Sequence, residues 1–181
     1  MEEGRGQQSA GGRMQVRELG SLRAAGRCAW AKWLVPAMAL NAITAASVRP
    51  VAAASARLTL SPSAVSFPPA DPDAVPSIAG SGPVSVQVKV GGGPSISSQL
   101  SCQASGDLQS GPAIIPISRI TWTAQGQGFL SGTLSRSAPQ LVGQWIGNVD
   151  AQGQLQFWLQ NSWSYAVGSY SQSVLYTLIA Y

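Results

Sequence analysis

Residues 84–90 alternate without interruption: Val84, Val86, Val88 and Val90 fall on one side, Ser85, Gln87 and Lys89 on the other. Successive side chains of an extended chain point to opposite faces, so this stretch predicts a strand with one face buried. The same period runs through Ser95–Ala104, where Ile96, Ser98, Leu100, Cys102 and Ala104 share a face. Ile114–Trp122 predicts another strand, with Pro116 marking an edge or bulge because proline cannot donate to a ladder. Beyond Pro116 the inward set is Ile120, Trp122 and Ala124. Leu58–Leu60 opens a short strand that Pro62 limits, and Val65–Phe67 resumes pairing.

Phe129–Leu134 and Leu141–Ile146 predict shorter strands. Trp145 shares parity with Leu141 and is expected in the core. Asn148–Gly153 reads as a hairpin loop into Gln154–Gln160, and Tyr170–Tyr181 as the closing strand. No window carries a helical period. Short strands separated by turn residues predict an all-β, antiparallel, immunoglobulin-like β-sandwich, with a closed β-barrel as the alternative that the same alternation serves.

This pattern begins only after residue 56. Upstream, residues 1–56 hold seven Lys or Arg against three Glu, whereas residues 57–181 hold four against four. The basic pI of about 9.5 therefore belongs to the first third, and the remainder offers no positive surface to nucleic acid. A cationic stretch ending at Lys32 precedes an apolar run from Trp33 to Val48, followed by the small residues of Val51–Ala56. That order is that of a secretory signal peptide. Cleavage is expected after Ala54-Ser55-Ala56, with Ala52-Ala53-Ala54 as the alternative site and Met14 as an alternative start.

The rival is an uncleaved membrane anchor. The apolar run has 16 residues, broken by Pro36 and Asn41, and a span needs about 20. The expected organisation is a leader over 1–56 and a single domain over 57–181, secreted or held at the cell surface, with no membrane span after cleavage.

The chain has no histidine, and Cys28 would leave with the leader, so Cys102 stands alone in the domain. Nucleophilic triads and His-ligated metals are excluded, and no internal disulfide can form. Period two puts Cys102 on the inward face, as a small buried hydrophobe. Asp71 and Asp73 are weak candidates for a calcium site, and loop aspartates of this kind ordinarily form turns. No cofactor and no catalysis are expected.

Contact surfaces remain. Trp158 lies with Gln154, Gln156 and Gln160, opposite the apolar face of Leu155, Phe157 and Leu159. An aromatic among amides suits sugar stacking or a partner; the plainer reading is cross-strand packing on the outer face. A bend at Asn161-Ser162 would free Trp163 and Tyr165 to assist. The final strand is apolar on both faces: Val174, Tyr176, Leu178 and Ala180 on one, Leu175, Ile179 and Tyr181 on the other. The second set calls for a cover, first the Pro68–Pro83 loop with Val75 and Ile78, otherwise a neighbouring subunit. Uncovered, this strand invites strand addition.

Two segments add a resemblance. Gly168-Ser-Tyr170-Ser-Gln-Ser-Val174-Leu-Tyr176-Thr-Leu178 resembles the closing motif of bacterial secreted sandwich subunits, the spore coat protein U and fimbrial-subunit group. Leu58-Thr-Leu-Ser-Pro-Ser-Ala-Val-Ser-Phe67 is similar to their first strand. The resemblance implies an immunoglobulin-like sandwich displayed on, or assembled outside, a bacterial cell. The chain departs from that group in lacking an internal disulfide, and Pro62 leaves little room for a long free N-terminal strand. The expected role is a non-catalytic structural subunit binding like subunits or other cell-surface proteins, possible self-assembly running through the C-terminal strand. The alternative is a secreted module that binds polysaccharide through Trp158, Trp163 and Tyr165.

Overall fold

The computed structural model describes residues 10–18 and 54–181; the apolar run Trp33–Val48 and most of the expected leader lie outside the described residues. Thirteen strands follow in order: β1 (Ala10–Glu18), β2 (Ser55–Ser61), β3 (Ala64–Phe67), β4 (Ser77–Ala79), β5 (Val84–Gly91), β6 (Ser97–Ala104), β7 (Leu108–Ser110), β8 (Ala113–Ile115), β9 (Ile120–Gln125), β10 (Gly132–Thr133), β11 (Gln140–Ile146), β12 (Val149–Gln160) and β13 (Gly168–Ala180). Among the described residues the helical content is one 3-10 turn, Ile117–Arg119.

The strands form two sheets. One has the order β11-β6-β13-β1-β3, with β7 beside β13 and β8 beside β7; the other has β10-β9-β12-β5-β2, with β4 on β12. The ladders are antiparallel apart from β1, which runs parallel to β13. No ladder among the described residues joins the sheets, and one isolated bridge, Phe129 to Gly143, touches them at an edge. The fold is an open sandwich, and the barrel alternative is set aside. The chain changes sheet at Pro62: β2 pairs with β5, whereas β3 pairs with β1. A residue without an N–H is well placed where one ladder stops and another starts.

The core lies between the sheets. Val84, Val86, Val88 and Val90 all face it, as their alternation predicts, and so do Leu100, Cys102 and Ala104 from the opposite sheet. Trp122 packs at a tilt on Phe157, ring centres 6.4 Å apart, and its Nε1 donates to Leu130 O at 2.8 Å. That bond satisfies the indole N–H in an otherwise apolar interior. At the start of β13 the Tyr170 hydroxyl donates to Ala166 O at 2.7 Å, four residues upstream. A buried tyrosine bonded to a carbonyl a few residues upstream fixes the corner where the chain enters the strand.

Four expectations are corrected. Ile114–Trp122 is not one strand: β8 stops at Ile115, and a 3-10 turn closed by Arg119 N–H to Pro116 O precedes β9. Phe129–Leu134 shrinks to the two residues of β10. Asn148–Gly153 is not a loop. The turn narrows to Gly147 and Asn148, and β12 runs from Val149 with Asp150 opposite Lys89. Gly147 takes a φ of 85° there, and Asn148 ties this turn to the one after β5, its Oδ1 accepting from Gly92 N and Gly93 N at 3.1 and 3.0 Å. Finally, a bulge between Leu141 and Gly143 reverses the parity of β11, so Leu141 faces outward while Val142 and Trp145 face inward.

Candidate functional site

The centre of the first sheet holds an unusual arrangement. Strand β1 lies between β13 and β3, its Ala10–Glu18 in register with Gly168–Tyr176 on one side and Gly12–Gln15 opposite Phe67–Ala64 on the other. It belongs to the segment 1–56 expected from the sequence to be a leader. Strand β3 has no other partner among the described residues, so its ladder depends on β1. Val65 and Phe67 of β3, and Tyr170 and Val174 of β13, are all buried beside this position. Sequence reasoning missed β1. Its signal was the short alternation of Met14 and Val16 with Arg13, Gln15 and Arg17, hidden inside a segment read by charge alone.

Strand β13 keeps the two-faced character that its sequence predicts. Val174 and Tyr176 are buried, whereas Leu175, Ile179 and Tyr181 are 37%, 47% and 67% exposed. The expected cover is absent among the described residues. Instead of lying over β13, the 68–83 loop joins the other sheet: Ile78 sits in β4 opposite Leu159 and is buried there. Asn161 fastens the rest of the loop, its Nδ2 donating to Ala70 O and Val75 O at 3.0 Å each. Backbone pairing to β12 draws the loop to the far sheet, and Val75 stays exposed.

The three aromatic candidates stand on different supports. Trp158 is half-buried on the outer face of β12, and its Nε1 donates to Thr123 Oγ1 at 3.3 Å. The chain leaves β12 at Gln160, which carries Trp163 out of the sheet; it is exposed, and its Nε1 donates to Asp73 Oδ1 at 3.0 Å. Tyr165 packs against the core, and burial raises its phenol pKa against the opposing effect of Arg119. The amide neighbours are themselves engaged: Gln156 donates to Gly80 O, and Gln160 accepts from Arg119 at 2.8 Å.

Asp71 and Asp73 act locally. Asp71 Oδ1 accepts from Asp73 N at 2.9 Å, the bond of an Asx turn, and Asp73 holds Trp163. No cluster of three or more Asp, Glu, His or Cys able to hold a metal occurs among the described residues. Asp107 is structural, accepting from Ile117 N at 3.0 Å and pairing with Arg136 at 3.0 Å. Cys102 is buried, and desolvation pushes its thiol up to about 12, which removes its nucleophilic form at ordinary pH. No helix among the described residues is long and apolar enough to cross a membrane. Compared with known protein families and with curated proteins, the chain matches none.

Proposed function

We propose that this protein is an exported, non-catalytic β-sandwich that serves as a surface or extracellular structural subunit and associates with like subunits along β13. One observation carries the reading: the strand between β3 and β13 comes from the segment that the sequence marks as a leader. Removing residues 1–56 takes that strand away. Strand β13 then lacks a neighbour on its β1 side over Gly168–Tyr176, and β3 lacks its ladder altogether. Bare N–H and C=O groups along a strand attract another strand, and a neighbouring copy offers one. The outward Leu175, Ile179 and Tyr181 add apolar area to such a contact. The balanced charge of residues 57–181 sets up little repulsion between copies.

Size-exclusion chromatography with light scattering on the secreted form tests this. A dimer or larger assembly is expected, and a synthetic peptide of the nine residues Ala10–Glu18 should return it to monomer by occupying the vacated position. A secreted monomer that ignores the peptide would sink the reading.

A further inference from the structure

At one end of the sandwich the sheets part beside the Gly147-Asn148 turn, leaving a cleft of about 840 Å3. Its inner wall starts from two register partners, Trp145 on β11 and Ser98 on β6, whose side chains share the inward face. Trp145 is held rigidly. Its Nε1 donates to Gln127 O at 3.0 Å, and Phe129 meets it edge-on with ring centres 5.0 Å apart. Two glycines make room for the indole: a Cβ at Gly143 would stand 2.9 Å from its Cζ2, and one at Gly128 would stand 2.7 Å from its Cδ1. The rim carries Ile146 and Tyr181, both aligned on Ser97 and 79% and 67% exposed.

Ser98 is the anomaly. It lines the cleft, is only 1% exposed, and its Oγ has no hydrogen-bond partner. A buried hydroxyl left unpaired costs about 1–3 kcal/mol, and this one lies in the wall of the cleft. The other polar groups here are amides: Gln99, Gln127, Gln144 and Gln152 also line the cleft. A carboxamide offers a donor and an acceptor together, which matches the paired hydroxyls of a sugar. The one ionised side chain in the lining, Asp150, pairs with Lys89 at 3.0 Å and accepts from Gln87 at 3.3 Å.

We infer that this cleft binds a neutral oligosaccharide, one pyranose lying on the Trp145 indole and its hydroxyls reaching the amides. A preorganised aromatic face binds C–H surfaces at low entropic cost. Charged glycans find no free counter-ion in the lining. The site is at β11 and β6, on the opposite side of β13 from β1 and β3, and does not depend on strand capture.

The test is a titration of the secreted protein with maltohexaose, cellohexaose and chitohexaose, followed by tryptophan fluorescence and calorimetry. At least one is expected to bind, and Trp145→Ala to weaken that binding at least about tenfold. Gln144→Ala separates ligand from structure: it removes an exposed amide of the lining, so it should weaken binding while leaving the stability of the free protein unchanged. Should Trp145→Ala fail to fold, Gln144→Ala alone carries the test, with weaker binding expected. The proposal is overturned if none of the three sugars binds, if binding survives these substitutions unchanged, or if a polyanionic glycan or an extended peptide binds more tightly than all three.

Discussion

Cys102 on β6 and Tyr176 on β13 are register partners, buried side by side in the core, and the Tyr176 hydroxyl has no hydrogen-bond partner. Burial pushes the thiol from its ordinary 9.0 up to about 12, and burial with the nearby thiol holds the phenol well above its ordinary range. Both groups thus remain neutral in the fold at pH values where the unfolded chain would release their protons.

The sign of the pH effect follows. A group whose folded pKa is raised contributes stability that is complete below its unfolded pKa and lost as pH rises. Stability should therefore hold to about pH 9 and decline toward pH 12, with Tyr176 acting in the same direction. Circular dichroism across that range should show the loss, and Cys102→Ala should move its midpoint upward. A thiol reagent at pH 8 should label Cys102 only after denaturant is added; rapid labelling of the folded protein would contradict its burial.

The strands with clean alternation were legible in the sequence, because one buried face imposes a period that Val84–Val90 and Leu100–Ala104 display openly. Local side-chain rescue was not legible. The segment that looks like a six-residue loop pairs with β5 from Val149, and Asn148 ties its turn to Gly92 and Gly93, which no residue pattern announces. The bulge at Val142 had the same effect on Trp145: parity counted from Leu141 placed it inward, but by a route the chain does not take. The candidate site was legible only in outline. The outward Leu175, Ile179 and Tyr181 could be read from β13, whereas the partner strand β1 lies more than a hundred residues away from it in sequence. Such distance conceals a contact, and a charge-rich segment did not invite the search.

Tyr170 joins the start of β13 to the preceding loop through its 2.7 Å bond to Ala166 O. Tyr170→Phe keeps the buried ring and removes the donor, so the expected loss is about 1 kcal/mol. Urea denaturation should show a lower midpoint with an unchanged slope. No change in midpoint would mean that the corner orders the loop without stabilising the fold.

Trp122 and Trp158 test the division between interior and outer face. Trp122 is buried against Phe157, and Trp122→Ala should cost about 3–5 kcal/mol. Trp158 is half-buried over Thr123, and Trp158→Ala should cost about 1 kcal/mol. Denaturant midpoints of the two variants decide it. Equal losses would place Trp158 in a true core and withdraw it as a contact residue.

The junction between the proposed leader and the domain makes the last prediction. Strand β2 begins at Ser55, with Ser55 opposite Gly91, Ala56 opposite Val90 and Arg57 opposite Lys89. The bond after Ala56 therefore lies within a ladder of the folded domain, while the bond after Ala54 lies just outside it. A protease needs its substrate extended and free, and a strand already paired to β5 is not available to it. Processing should accordingly happen during export, before β2 docks. Mass spectrometry of the secreted protein should find its N-terminus within Ser55–Arg57. Full-length protein folded beforehand should resist signal peptidase at the Ala56–Arg57 bond, and should become cleavable once denatured. Cleavage of the folded precursor at an equal rate would show that β2 frays freely, and would remove the ordering of events on which exposure of β13 depends.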